Sequence, residues 1–409
     1  MKILHTADWH LGKKLEGEER IEEHQQFLNW LLQYINEHHI DVLVVAGDIF
    51  DTGMPNNQSL KQYYSFLWQI KNTCCKHVVI IGGNHDSVST LNAPADILKY
   101  LDIHVVSGVP ENFEDQIIAL KNADNNIELV ICAVPFLRDR DIKISIAGET
   151  LPEKESRIKA AIVEHYRKFE PLIESHKNAR IPIIATGHLY AAEAIGTPES
   201  EKDIFVGNLG KVSGDQFPKI FDYIALGHLH KPQLVSNLEH IRYSGSPIAL
   251  SFSEDQDPKQ VIVIEFSEAD AAPDIQTVLI PGLRILRRLK GTLDEITIAL
   301  IGLTEPENSD WPVWVEIQVQ TEGFVPDIYE QLNAIKPDFV EKLFIRQIKT
   351  KTNTVSNAGT DTTWHLSDLK PLDVFKQKLE IESLEGDVAA GLLLTFEEAM
   401  VLLQSKETE

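Results

Sequence analysis

Five apolar runs each stop at a small residue or tight turn and then present side chains able to bind a metal, and this repetition constrains the fold more than any other feature. Met1–Thr6 delivers Asp8 and His10, and Asp41–Ala46 ends in Gly47-Asp48. His77–Ile81 ends in Gly82-Gly83-Asn84-His85-Asp86, Ile181–Thr186 in Gly187-His188, and Tyr223–Leu226 in Gly227-His228-Leu229-His230. Continuous apolar runs of this kind predict strands buried on both faces. Apolar residues at Ile21, Phe27, Leu28, Leu31, Leu32 and Ile35 predict a helix over 21–38, and a second helix fits Gln58–Lys71. Strands alternating with helices predict a layered α/β fold, whose ligands gather at strand C-terminal ends. One shared site is the economical arrangement.

The residue types in that site point to hydrolysis at two metal ions. Imidazoles mixed with carboxylates suit first-row divalent ions such as manganese. A carboxylate can bridge two cations held about 3.5–4 Å apart, and Asp48, at the central turn, is the expected bridge. Asp8, His10 and His230 then complete one ion, and Asn84, His188 and His228 the other. Asn84 is neutral, so it adds coordination without cancelling the positive charge that must meet phosphate. His85 is expected to face the substrate and donate a proton to the departing oxygen. Asp51, just beyond the bridge, is expected to orient and charge His85, whereas Asp86 is read as a turn-former.

Charge sets a condition on any nucleic-acid function. The 409 residues carry 62 acidic against 38 Lys and Arg side chains, a formal net charge of -24. Phosphate contact depends on local cations, so local basic patches or a basic partner are required. Candidate patches are Lys13–Lys14, Arg138/Arg140/Lys143 and Arg284/Arg287/Arg288/Lys290. The three cysteines, Cys74, Cys75 and Cys132, have no metal-binding spacing and are expected to be reduced thiols of a cytoplasmic protein. No run is long enough to span a bilayer, and the acidic and imidazole side chains of residues 1–10 argue against a secretory leader.

The length predicts two or three domains. Residues 1–275 form the first, and after them the pattern changes. Leu283–Leu289, Pro312–Gln320 and Phe339–Ile348 fit strands, while Leu293–Leu303 and Asp327–Ile335 fit helices, giving a small α+β module over 276–349. Residues 350–363 are polar and predicted to be a linker. Residues 364–409 carry two amphipathic stripes, Leu372/Phe375/Leu379 and Phe396/Met400/Leu403, the second opened by a Thr395/Glu398 capping box. Short helices cannot bury such stripes alone, so these fold back on the body or dock another protein.

Asp8-x-His10, Gly47-Asp48-x-x-Asp51, Gly83-Asn84-His85-Asp86, Gly187-His188 and Gly227-His228-x-His230 resemble, in order, the motifs of the calcineurin-like metallophosphoesterases. A finer similarity, to the nuclease branch of that family, lies in Asp8-Trp9-His10-Leu11-Gly12, in Val134 to Asp141, in Tyr243-Ser244-Gly245-Ser246-Pro247 and in Leu250-Ser251-Phe252-Ser253-Glu254. The resemblance implies a double β-sheet sandwich flanked by helices, with a small capping domain. It implies a manganese-dependent nuclease that digests duplex ends 3′ to 5′ and opens hairpins or single strands. It also implies a coiled-coil ABC-type ATPase as partner, two copies of each, held by the helices after residue 364. The alternative is a small-molecule or protein phosphatase on the same metals, since a fold does not fix its substrate.

Overall fold

The computed structural model describes residues 1–122, 124–138, 141–142, 151–191, 211–267, 272–307, 309–321 and 327–349, together with Leu392 and Thr395. The predicted linker, the C-terminal stripes, Arg140 and Lys143 lie outside the described residues.

Residue parity along the strands builds the body. In Val42–Ala46, Val42, Val44 and Ala46 turn one way and Leu43 and Val45 the other, and all are buried. The first set meets Ile118, Leu120, Leu129, Ile131, Ile184 and Ala225 from a second sheet. The other set packs beneath helices Ile21–His38 and Asn57–Ile70 through Phe27, Leu31, Tyr63 and Phe66. On the far side, Val130, Ile183, Ala185 and Leu226 carry Ile158, Ile162 and Tyr166 of helix Leu151–Arg167. The body is therefore two sheets face to face between helical layers, the arrangement implied by the family resemblance.

The first sheet runs Asp274–Leu279, Gln260–Glu265, Lys2–Thr6, Val42–Ala46, His77–Ile81, Ile103–Val106, and the second Gln233–Val235, Leu238–Tyr243, Tyr223–Gly227, Ile183–His188, Ile127–Cys132, Ile117–Lys121. Lys2–Thr6, Val42–Ala46 and His77–Ile81 are mutually parallel, as are Tyr223–Gly227 and Ile183–His188. The C-terminal ends of parallel neighbours share an edge, which is how residues up to 222 positions apart (8 to 230) can meet.

The module is a three-stranded sheet, Leu286–Gly291, Val313–Thr321, Val340–Lys349, with helices Leu293–Ile301 and Ile328–Ile335 between successive strands. Both strand pairs are parallel, so the unit is βαβαβ rather than the α+β arrangement expected from its sequence. Val313, Val315, Ile317 and Val319 do form one buried face. Trp314 and Glu316 on the other face are buried as well, because that face packs on the body.

That junction uses charge. Arg284 donates to Glu23 Oε1 at 2.8 Å and Glu341 Oε2 at 2.9 Å, with its guanidinium 4.2 Å from the Trp314 ring centroid. Arg20 pairs with the other oxygen of Glu23. Arg288 pairs with Glu316 at 2.5 Å. The basic patch over 284–290 therefore loses Arg284 and Arg288 as DNA contacts, because both are consumed in joining and building the module. Cys74 is exposed and Cys75 and Cys132 are buried, all as thiols.

Candidate metal centre

The loops that carry the site are fixed to one another by backbone before any side chain is considered. Asp8 N–H donates to Gly47 O at 3.0 Å, His10 N–H to Asp48 O at 3.0 Å and Leu11 N–H to Ile49 O at 2.9 Å. The loop 47–51 is also held by Asp86, whose carboxylate accepts from Ile49, Phe50 and Gly83 N–H at 3.1, 3.0 and 2.8 Å. Asp86 is thus a clamp across two site loops, more than the local turn-former expected. Four predicted ligands sit in left-handed backbone: Asp8 (φ 53°), His10 (φ 45°), Asp48 (φ 49°) and His228 (φ 99°). The sheets approach closely here: a Cβ on Gly227 would lie 2.0 Å from Ala46 O, and one on Gly47 2.3 Å from His188 Nδ1.

All seven predicted ligands converge on that edge. His10 Nε2 lies 3.2 Å from His230 Nε2 and 3.4 Å from Asp48 Oδ2. The same Asp48 oxygen is 3.2 Å from His188 Nε2. Asn84 Oδ1 is 3.0 Å from both His188 Nε2 and His228 Nδ1. Asp8, His10 and His230 form one group within metal-sharing distance, and Asp8, Asp48 and His188 another. Asp8 belongs to both groups, and Asp48 faces a histidine of each, His10 and His188, with one oxygen. Its Oδ1 accepts the His85 N–H at 2.9 Å, leaving Oδ2 to face both histidines.

The donor set fits divalent cations. Asp8 Oδ1 accepts the His228 N–H at 2.9 Å, while its Oδ2 is buried with no hydrogen-bond partner. Such an oxygen is costly unless a cation reaches it. His188 Nδ1 donates to Ala46 O at 2.9 Å, which aims Nε2 into the cluster. Burial pushes the Asp8 carboxyl up to about 6 and pulls the His228 imidazole down to about 3 and His10 to about 4. Burial would also raise Asp48, but His188 and His10 hold it well below the usual carboxylate range. Neutral imidazoles beside an anionic carboxylate are the protonation states that a metal requires. His188 runs the other way: burial lowers it, yet Asp48 and Asp8 carry it up to about 9, so an incoming cation must displace its proton.

His85 lies beside the cluster, its ring centroid 4.8 Å from that of His10. Its Nδ1 donates to the main-chain carbonyl of Asp51 at 2.7 Å. The Asp51 carboxylate lies within 4.8 Å of a His85 ring nitrogen but makes no hydrogen bond to it. That carboxylate is 3.4 Å from His10 Nδ1 and 3.2 Å from Lys13 Nζ. Asp51 therefore orients His85 through its backbone and supports His10 through its side chain. Lys13 is spent on this pair rather than on a basic patch, and Lys14 pairs with Glu19 at 2.5 Å. Arg138 remains beside the site, its Nη2 donating to Asp86 O at 2.9 Å.

Sequence reasoning missed Glu254 and Lys259. Glu254 is buried, with Oε1 3.4 Å from His230 Nδ1 and Oε2 2.5 Å from Lys259 Nζ. The available signal was the segment Leu250-Ser251-Phe252-Ser253-Glu254, which carries the family similarity and ends in Glu254.

Comparison with known proteins identifies a phosphoesterase family. Residues 1–232 match the family described as calcineurin-like phosphoesterase, and residues 283–383 the family described as type 5 capsule protein repressor C-terminal domain. The chain is 37% identical to the SbcD component of the SbcCD nuclease of Escherichia coli (strain K12), over 94% of each chain. It is 30% identical to the protein of that name from Rhodobacter capsulatus, over 82% of this chain and 81% of the relative. It is also 30% identical to that of Bacillus subtilis, over 78% and 79%.

Proposed function

The chain belongs to the calcineurin-like phosphoesterase family, within it to the SbcD group of SbcCD nuclease components, and is a metal-dependent phosphodiesterase; from that premise we propose that it cleaves DNA with two manganese ions. The observation that carries this reading is the placement of Asp48 Oδ2 between His10 and His188, 3.4 and 3.2 Å away. Asp8, His10 and His230 would hold one ion and Asn84, His188 and His228 the other, with Asp48 shared. Divalent ions so held would neutralise phosphate charge and lower the pKa of water towards neutrality. His85, pinned by its Nδ1–H, turns Nε2 to the substrate and gives a proton to the departing sugar oxygen. Asp51 sets that orientation.

The activities we assign are 3′ to 5′ degradation of duplex ends and endonucleolytic opening of hairpins and single strands, in DNA recombination, replication and repair. The partner is an SbcC-type ABC ATPase, two copies of each protein, docked by residues 364–409. Met54, Trp68, Ile97 and Tyr100 are 92%, 69%, 71% and 90% exposed. They lie on or beside the helices Asn57–Ile70 and Ala95–Lys99, where we place a protein contact. With a net charge of -24, the chain alone is expected to hold DNA weakly and the ATPase to supply much of the cationic surface. No helix among the described residues is long and apolar enough to cross a membrane, and we place the complex in the cytoplasm, at the nucleoid.

The test is incubation of the purified chain, with and without SbcC, on blunt duplex and hairpin DNA in manganese or magnesium. Manganese-dependent shortening and hairpin opening, strongest in the complex, are expected. His85→Ala should keep both ions and slow cleavage by roughly 10²–10⁴-fold, the usual contribution of a general acid. Intact DNA under every condition, with phosphate released from monoesters, would overturn the reading.

A further inference from the structure

We propose that Glu254 is a positioning residue for the metal ligand His230, held in that role by Lys259; this rests on the ligand reading above. Glu254 closes the short turn Phe252–Glu254 and is 1% exposed. Its Oε2 takes Lys259 Nζ at 2.5 Å, Ser246 Oγ at 3.2 Å and Leu250 N–H at 3.2 Å. These contacts gather on one oxygen. The other, Oε1, takes no hydrogen bond from elsewhere among the described residues and faces His230 Nδ1 at 3.4 Å. A carboxylate stabilises imidazole in the form that carries its hydrogen on Nδ1, which leaves the Nε2 lone pair directed at the metal position. In His230, Nε2 is the nitrogen that meets His10 Nε2 at 3.2 Å. Without Glu254 the ring can adopt the other tautomer, whose Nε2–H would point where the cation must bind.

His10 is supported in the same way. Asp51 Oδ1 stands 3.4 Å behind its Nδ1 and carries Lys13 at 3.2 Å. The two histidines of one metal position thus each have a lysine-anchored carboxylate behind them. His188 of the other position rests on a neutral carbonyl, Ala46 O, at 2.9 Å. Simple loop bracing would not require this arrangement, because a buried ion pair contributes little over apolar packing. Aiming a second oxygen at a ligand histidine is what the pair adds.

Manganese titration of the full chain, followed by electron paramagnetic resonance, tests the assignment. In Glu254→Gln/Lys259→Met both buried charges leave together, so neither is orphaned. We expect one of two ions to weaken by roughly 10–100-fold, the usual loss for an outer-shell partner, and the spin-coupled pair signal to give way to that of an isolated ion. Glu254→Asp, which keeps a charge for Lys259 but withdraws the oxygen from His230, should shift affinity in the same direction and serves if the double variant does not fold. His230→Ala is the reference. If it binds both ions like the parent, the ligand reading fails. If it loses one ion while both Glu254 variants bind two with parental affinity and a coupled signal, the positioning role alone is overturned.

Discussion

The strand Val42–Ala46 of the body and Val313–Thr321 of the module occupy equivalent places, each with a parallel neighbour on both sides. They differ in what becomes of buried charge. In the module Glu316 is buried mid-strand and fully met within its own sheet, by Arg288 at 2.5 Å and Arg346 at 3.4 Å. In the body the acidic and imidazole groups collect at the strand ends, and Asp8 Oδ2 is buried there with no hydrogen-bond partner. Identical backbone architecture therefore gives a sealed scaffold in one place and a cation receptor in the other. The difference lies in whether the protein supplies its own counter-charge.

Three substitutions probe that contrast, in falling order of expected effect. Asp48→Asn should lower metal affinity well beyond the roughly 10–100-fold typical of outer-shell losses and bring cleavage to background. The fold should persist, since asparagine can still accept the His85 N–H; calorimetric metal titration and a DNA assay read both. Two ions and normal cleavage would remove Asp48 from the bridge. Ile317→Ala, in the module core, should cost about 3 kcal/mol of stability and leave metal binding unchanged, as denaturant melts with and without manganese would report. Coupled loss of metal would mean that the scaffold and receptor are not separable. Arg284→Met, at their junction, should cost about 2 kcal/mol, less than a buried pair usually loses because Glu23 keeps Arg20. Unchanged denaturation would show that the module is held by apolar packing alone.

The parts of this molecule legible in the sequence were those written in short-range pattern. The helix Ile21–His38 and the strand His77–Ile81 fall on their predicted bounds because apolar spacing alone specifies them. The convergence of the seven candidate ligands was legible because glycine-terminated apolar strands leave them one common edge. Atom-level roles were not. Nothing in Gly47-Asp48-Ile49-Phe50-Asp51 says that the Asp51 carbonyl rather than its carboxylate takes His85. Glu254 ends a segment that carries the family similarity, but its contact with His230 forms only once the chain turns before the antiparallel strand Gln260–Glu265, and periodicity does not encode it. Arg284 looked like part of an exposed basic run because its burial depends on Trp314, thirty residues on (284 to 314).

Four candidate ligands in left-handed backbone carry a consequence for engineering. Aspartate tolerates this conformation, but at His10 and His228 it is unfavourable by about 1 kcal/mol or more. Glycine or asparagine at 10 or 228 would relieve it and also remove a buried imidazole. A library sorted only for heat resistance would accordingly accumulate those replacements and yield sturdy proteins without a metal site. Any screen for hardier variants of this chain has to score cation uptake in the same round.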